Sequence, residues 1–301
     1  MNIVEKLNQR FGITNAVSFI QLPNGFVEVE INNSHASASI AMQGAHLMRF
    51  QPAGQQPLIW ISPDAILAQG KSIRGGVPVC WPWFGAHPEA TTLPAHGFAR
   101  MVPWRLNQVH SLPNGETRLE FELSSSAAIR RQWSQPCTLR NIITIGKTLR
   151  HELVTTNLDS KPMVIGEALH TYFQVGDIRH VTICGLEGRD YLDKVTDFSR
   201  QTQTGPVKFH GEVDRIYLDP PSLCEIRDPL LQRRIVIRSR GSRSTVVWNP
   251  WREKALQMGD MGPHGYRQML CVETANAAGA SVSLAPGEQH RLVAHYAIEA
   301  L

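Results

Sequence analysis

Six side chains in this sequence combine residue type and setting in ways suited to polar chemistry on a small molecule. His170 lies in the run Glu167-Ala-Leu-His-Thr-Tyr-Phe173. Period-two alternation there puts Ala168, His170 and Tyr172 on one face of a strand and Leu169, Thr171 and Phe173 on the other. An imidazole so placed is either a proton carrier near neutral pH or a hydrogen-bonded core residue. Glu273 sits in Met269-Leu-Cys-Val-Glu-Thr274, between apolar neighbours. A carboxyl group in that setting must be paired, hydrogen-bonded or raised in pKa, which suits a general base and equally a buried salt bridge. Asp214, in Glu212-Val-Asp-Arg-Ile-Tyr217, reads as a turn acid or as the partner of Arg215.

The other three share one stretch, residues 70–104. Arg74 precedes Gly75-Gly76, and His96-Gly-Phe-Ala-Arg100 closes on a second arginine. A guanidinium beside paired glycines can grip an anion or sugar hydroxyls while the backbone comes close. Both arginines are equally readable as structural ion-pair partners. The stretch is rich in Gly, Pro and Trp and alternates little. Long irregular stretches in a folded chain are functional or disordered, and Trp81, Trp83, Phe84 and Trp104 carry too much aromatic surface for disorder. The stretch is expected to be a structured loop holding a site.

Other chemistries lack their signatures. No GxxxxGK[ST], HExxH or GxSxG occurs, which argues against P-loop hydrolysis, a helix-borne zinc site and a serine nucleophile. The 12 histidines show no ligand-like grouping, so no metal is expected. Cys80, Cys137, Cys184, Cys224 and Cys271 are scattered, without a CxxC pair. Such a set, behind an N-terminus with no secretion-type apolar run, points to a reducing cytoplasm. No apolar run approaches the roughly 18 residues of a membrane span. Net charge is +4, and the densest basic run is Arg233 to Arg243. Ile235 and Ile237 alternate there with Arg234 and Arg238, without aromatic residues to stack on bases. A solvated strand face is expected, with no nucleic-acid partner.

The elements that must position these side chains are mostly strands. Hydrophobic residues make up 42% and charged residues 19%, enough to close a sizeable core. Alternation marks strands at 26–31, 36–42, 117–123, 138–145, 147–157, 163–175, 180–186, 234–240, 244–248, 281–285 and 290–298. Pro23-Asn24-Gly25, Pro113-Asn114-Gly115 and Pro286-Gly287 mark turns between them. Helical patterns are few: about 2–11, with Ile3, Leu7 and Phe11 on one face, and 252–258. Many strands with few helices predict an all-β fold, a large antiparallel sandwich. Residues 1–301 are read as one domain preceded by its short helix.

Taken together, RGGVPVCWPWFG, LPAHGFAR, EALHTYF, DYLDKVTDF, EVDRIY, WNPW and MLCVETAN, in this order, resemble the aldose 1-epimerase (galactose mutarotase-like) superfamily, most closely its hexose-6-phosphate mutarotase branch. The resemblance runs from about residue 26 to the C-terminus. It implies a β-supersandwich with its site on a concave face, and a reaction that interconverts the α and β anomers of a hexose 6-phosphate without a cofactor. It also implies roles: His170 as general acid, Glu273 as general base, Arg74 and Arg100 on the substrate and its phosphate, Asp214 on sugar hydroxyls, and His96 as a second active-site histidine. On these roles the acid limb of the pH profile would belong to Glu273 and the basic limb to His170. A phosphosugar is the expected partner, and a monomer the expected state. Ala95 departs from the glutamine common before the HGFAR histidine, which bears on substrate preference. An epimerase of unphosphorylated aldoses and a non-catalytic carbohydrate-binding protein are the alternative readings.

Overall fold

The computed structural model describes residues 1–87, 89–123 and 127–301. Alternating burial builds most of it. In Thr117–Leu123, Thr117, Leu119 and Phe121 are buried while Arg118, Glu120 and Glu122 stay partly exposed. One eight-stranded sheet runs in the order Thr182–Cys184, Leu223–Asp228, Arg233–Arg240, Gln289–Ala300, Leu149–Asn157, Cys137–Ile145, Thr117–Leu123, Trp104–Ser111. A second runs Ser199–Thr202, Asp190–Asp193, Val213–Leu218, Ser244–Asn249, Met269–Asn276, Glu167–Leu169, Val79–Cys80, with Tyr172–Gln174 also pairing on Met269–Asn276. Four more strands, Val17–Gln21, Val27–Asn32, Ala36–Ala41 and His46–Pro52, form a third sheet, and Met163–Ile165 pairs with Val282–Leu284. Strand pairs are antiparallel throughout these sheets. The all-β expectation therefore holds.

The two large sheets share one apolar core. Leu270, Val272 and Val247 of the second sheet cluster with Ile235, Leu153, Leu292 and Tyr296 of the first. The Phe173 and Tyr296 rings meet edge to face at 5.2 Å, and the Tyr296 hydroxyl shares a 2.7 Å hydrogen bond with Thr171 Oγ1. Each large apolar side chain buried this way stabilises by about 1.5–3 kcal/mol relative to exposure.

Two expectations need correction. The run 163–175 is not one strand: it breaks at Gly166 and again at His170-Thr171. The His170 N–H donates to Pro78 O (3.0 Å) and the Thr171 N–H to Leu169 O (2.9 Å), so the chain leaves the ladder for two residues. The N-terminal helix spans Ile3–Phe11, capped by Asn2 and Glu5, but Ile3 is exposed. Val4, Leu7 and Phe11 pack on the core instead. Residues 70–104 are largely irregular as expected, carrying only Val79–Cys80, the turn of helix Ala99–Met101 and the start of Trp104–Ser111; Pro88 within that stretch lies outside the described residues. Among the described residues, no helix is long and apolar enough to cross a membrane.

Candidate active site

Cross-strand register assembles the site. Asp214 lies opposite Trp248, Trp248 opposite Cys271, and Cys271 opposite Tyr172. In the adjacent row Ile216 lies opposite Val246, and Val246 opposite Glu273. Alternate residues share a face, so these side chains turn away from Leu270, Val272 and Val247. His170 and Thr171 occupy the break between Leu169, paired to Thr274, and Tyr172, paired to Cys271. Thr171 turns to Tyr296 in the core, and His170 turns to the site.

A cavity of about 300 Å³ opens on that face. Arg74, His96, Arg100, His170, Asp214 and Glu273, the six residues singled out from the sequence, all line it. His170 Nε2 stands 3.3 Å from Glu273 Oε1. The His170 ring stacks on Tyr172 at 5.0 Å and meets Trp248 edge-on at 6.0 Å, which fixes its plane. Among the described residues, His170 Nδ1 and Glu273 Oε2 have no hydrogen-bond partner.

Backbone shape delivers the loop residues. Gly76 has φ +69°, and a Cβ there would strike the His46 ring and the Leu47 carbonyl; His46 Nε2 donates to Gly75 O at 2.9 Å, pinning the turn behind Arg74. Gly97 has φ +71°, and a Cβ would overlap the Trp81 carbonyl. Only glycine meets both demands. His96 adopts φ +63°, a conformation costing a non-glycine residue on the order of 1–3 kcal/mol. Its N–H donates to Gly85 O (2.6 Å), and its ring packs edge-on against Phe84 (4.6 Å) and His170 (5.9 Å).

The arginines divide between the two readings given them. Arg74 Nε donates to Asp260 Oδ1 (3.0 Å) and Nη1 to the Tyr172 hydroxyl (3.0 Å), so it is ion-paired and also faces the cavity. Among the described residues Arg100 has no carboxylate partner: Nη2 donates to Ala95 O at 2.9 Å, and Nε has no hydrogen-bond partner. At position 95 the contact is thus made by backbone, which needs no amide side chain. Asp214 is not paired to Arg215. Neighbouring strand residues point to opposite faces, so Arg215 reaches Asp193 (3.4 Å), while Asp214 Oδ2 accepts from Lys194 Nζ at 2.8 Å.

Burial and charge tune these groups. Burial holds His170 well below the usual imidazole range, and neighbouring His96, Arg100 and Arg74 push it the same way. Burial raises Glu273 well above the carboxylate range; Asp214 adds to this, while Lys194 and Arg100 oppose it. His96 is held down to about 3, chiefly by burial, then by Arg100. Asp214 is raised by burial against the pull of Lys194. Burial thus disfavours the charged form of both His170 and Glu273.

Among the lining residues not singled out from the sequence are Tyr172, Lys194, Trp248 and Lys254. Lys194 lies inside the DYLDKVTDF motif and is fixed by a short turn whose first amide is capped by Asp193 (Val195 N to Asp193 Oδ1, 3.0 Å). Lys254 projects from the helix Trp251–Gln257 and pairs with Glu212. Nothing in spacing alone linked either lysine to strands so far away in sequence.

Comparison with known proteins follows the same lines. The model of the family described as aldose 1-epimerase matches residues 28–297. A protein of Escherichia coli (strain K12), provisionally named a glucose-6-phosphate 1-epimerase, is 39% identical over 251 residues, 83% of each chain. A relative from Cenchrus ciliaris with the same provisional name is 34% identical over 282 residues, 90% of this chain and 84% of that one. The crystal structure of a provisionally assigned mutarotase from Salmonella typhimurium superposes with a TM-score of 0.90 at 34% identity, covering 100% of both chains.

Proposed function

Since this chain belongs to the aldose 1-epimerase family and is an epimerase of that kind, we propose that it interconverts the α and β anomers of a hexose 6-phosphate, glucose 6-phosphate foremost, with His170 and Glu273 as the proton-transfer pair. The observation that carries this reading is the 3.3 Å approach of His170 Nε2 to Glu273 Oε1 in a cavity also lined by Arg74, Arg100, Lys194 and Lys254. Arg74, Lys194 and Lys254 are ion-paired to Asp260, Asp214 and Glu212, which leaves Arg100 as the lining cation without a carboxylate partner among the described residues, able to meet an anionic sugar.

The pair holds one exchangeable proton. Passing it from Glu273 to His170 Nε2 yields an imidazolium and a carboxylate. The imidazolium donates to the ring oxygen O5 as the C1–O5 bond breaks, while the carboxylate takes the C1 hydroxyl proton and C1 becomes the aldehyde carbon. His170 is then neutral and Glu273 protonated, which is the state that burial favours. The enclosed site therefore stabilises the opened sugar's side of the step. Rotation about C1–C2 presents the other carbonyl face. Glu273 returns its proton to the carbonyl oxygen, His170 takes the proton from the C5 hydroxyl, and the ring closes as the other anomer. Asp214, held by Lys194, is placed to accept from sugar hydroxyls.

Anomer exchange on glucose 6-phosphate, followed by NMR exchange spectroscopy, tests the assignment. His170→Ala and Glu273→Gln are each expected to lose about 10²–10⁴ in rate, the usual contribution of a positioned acid or base. The wild-type profile is expected to be bell-shaped. Its acid limb is expected to report a second proton on the His170–Glu273 pair and its basic limb the loss of the pair's single proton. Near-normal rates in either variant refute the pair.

A further inference from the structure

We propose that His170, Cys271 and Glu273 form a binding site for a thiophilic divalent cation, Zn²⁺ being the representative, and that such an ion occludes the cavity to sugar. This goes beyond the anomer-exchange reading and does not rest on it. The three residues offer one nitrogen, one sulfur and one oxygen donor, all lying within 4.8 Å of one another. Cys271 and Glu273 are two apart on the strand Met269–Asn276 and so share its face. His170 reaches them from the break in the neighbouring strand. All three are buried.

Geometry favours a tetrahedral ion. Zinc bonds of about 2.0–2.3 Å place tetrahedral donors roughly 3.3–3.8 Å apart. The His170–Glu273 spacing of 3.3 Å already meets this. The widest spacing allowed by the cluster needs to close by about 1 Å, which small side-chain rotations among the three residues can supply. His170 and Glu273 line the cavity, so a fourth position faces water, as in open three-ligand sites. A thiolate donor selects Zn²⁺ or Cd²⁺ over Mg²⁺ and Ca²⁺, which prefer oxygen.

The same site is poorly built for a resident cofactor. A histidine that holds a metal ordinarily donates its second ring N–H to an acceptor, whereas His170 Nδ1 has no partner among the described residues. An ion held there occupies the His170 and Glu273 side chains and so closes the cavity to sugar.

Isothermal titration of the full chain with Zn²⁺ is expected to show one equivalent bound, with Mg²⁺ and Ca²⁺ giving no signal at the same concentrations. Cys271→Ser should weaken the affinity at least tenfold and remove a cadmium–thiolate charge-transfer band seen in the ultraviolet with Cd²⁺. Unchanged affinity in Cys271→Ser overturns the proposal. Should that variant fail to fold, zinc-edge anomalous diffraction from a Zn²⁺-soaked crystal of the wild-type chain decides the matter: a peak between the three side chains supports the site, and a peak elsewhere or none refutes it. No sugar or turnover enters these readouts, so their failure is separate from failure of the anomer-exchange reading.

Discussion

Replacing Arg74 by alanine distinguishes a phosphosugar site from a plain sugar site. A guanidinium carries five N–H donors. In Arg74 one is given to Asp260 and one to the Tyr172 hydroxyl, leaving three to meet an anion. A hydrogen bond to a charged group contributes about 1.5–3 kcal/mol, and about 1.4 kcal/mol is a factor of ten. One such bond to phosphate thus predicts a loss of roughly ten- to 150-fold in kcat/KM on glucose 6-phosphate. Free glucose has no phosphate to lose, so its loss should stay within about threefold. The substitution also strands Asp260 and the Tyr172 hydroxyl, a disturbance felt by both sugars, and Arg74→Lys keeps the charge while removing the planar fork. Anomer-exchange rates on the paired sugars, with thermal melts of each variant, give the answer. Equal losses on both would refute phosphate reading by Arg74 and favour an epimerase of unphosphorylated aldoses.

Two further predictions concern stability. Burial holds His46 down to about 4 and His151 and His96 down to about 3. The unfolded chain takes up these protons near pH 6.5 while the folded chain does not, so stability falls as pH drops from about 6.5 toward 4, by about 1.4 kcal/mol per pH unit for each histidine. Urea unfolding between pH 7 and 5 should show this slope, flatter by about one proton in His151→Gln; an unchanged slope refutes it. Gly97→Ala combines a positive φ with a backbone overlap at Trp81 and should cost roughly 2–4 kcal/mol. A melting temperature equal to wild type would show that the HGFAR turn is not held as described.

Strands with one wet face were legible in the sequence. Thr117–Leu123, Arg233–Arg240 and Gln289–Ala300 alternate because one side meets solvent or a partly exposed edge. Met269–Asn276, which carries Glu273, is buried along its whole length and offers no polar rhythm to read. The same holds for much of His46–Pro52, and neither stood among the alternating runs. Asp190–Asp193 is only four residues long, and Val213–Leu218 is buried in consecutive pairs rather than in alternation, so neither offered a period-two pattern. At the site, residue type and motif marked six side chains that do converge. Their partners were not legible, because Arg74–Asp260 and Lys194–Asp214 join segments that only tertiary packing brings together.

The interruption at His170-Thr171 gives two adjacent residues opposite allegiances. One peptide unit carries a side chain anchored to the far layer through Tyr296 and another exposed to the reactants. Whatever loosens the hydroxyl contact behind the wall should be felt in front of it, through a single rigid amide plane. The imidazole thus inherits the stiffness of both layers while remaining no rung of either.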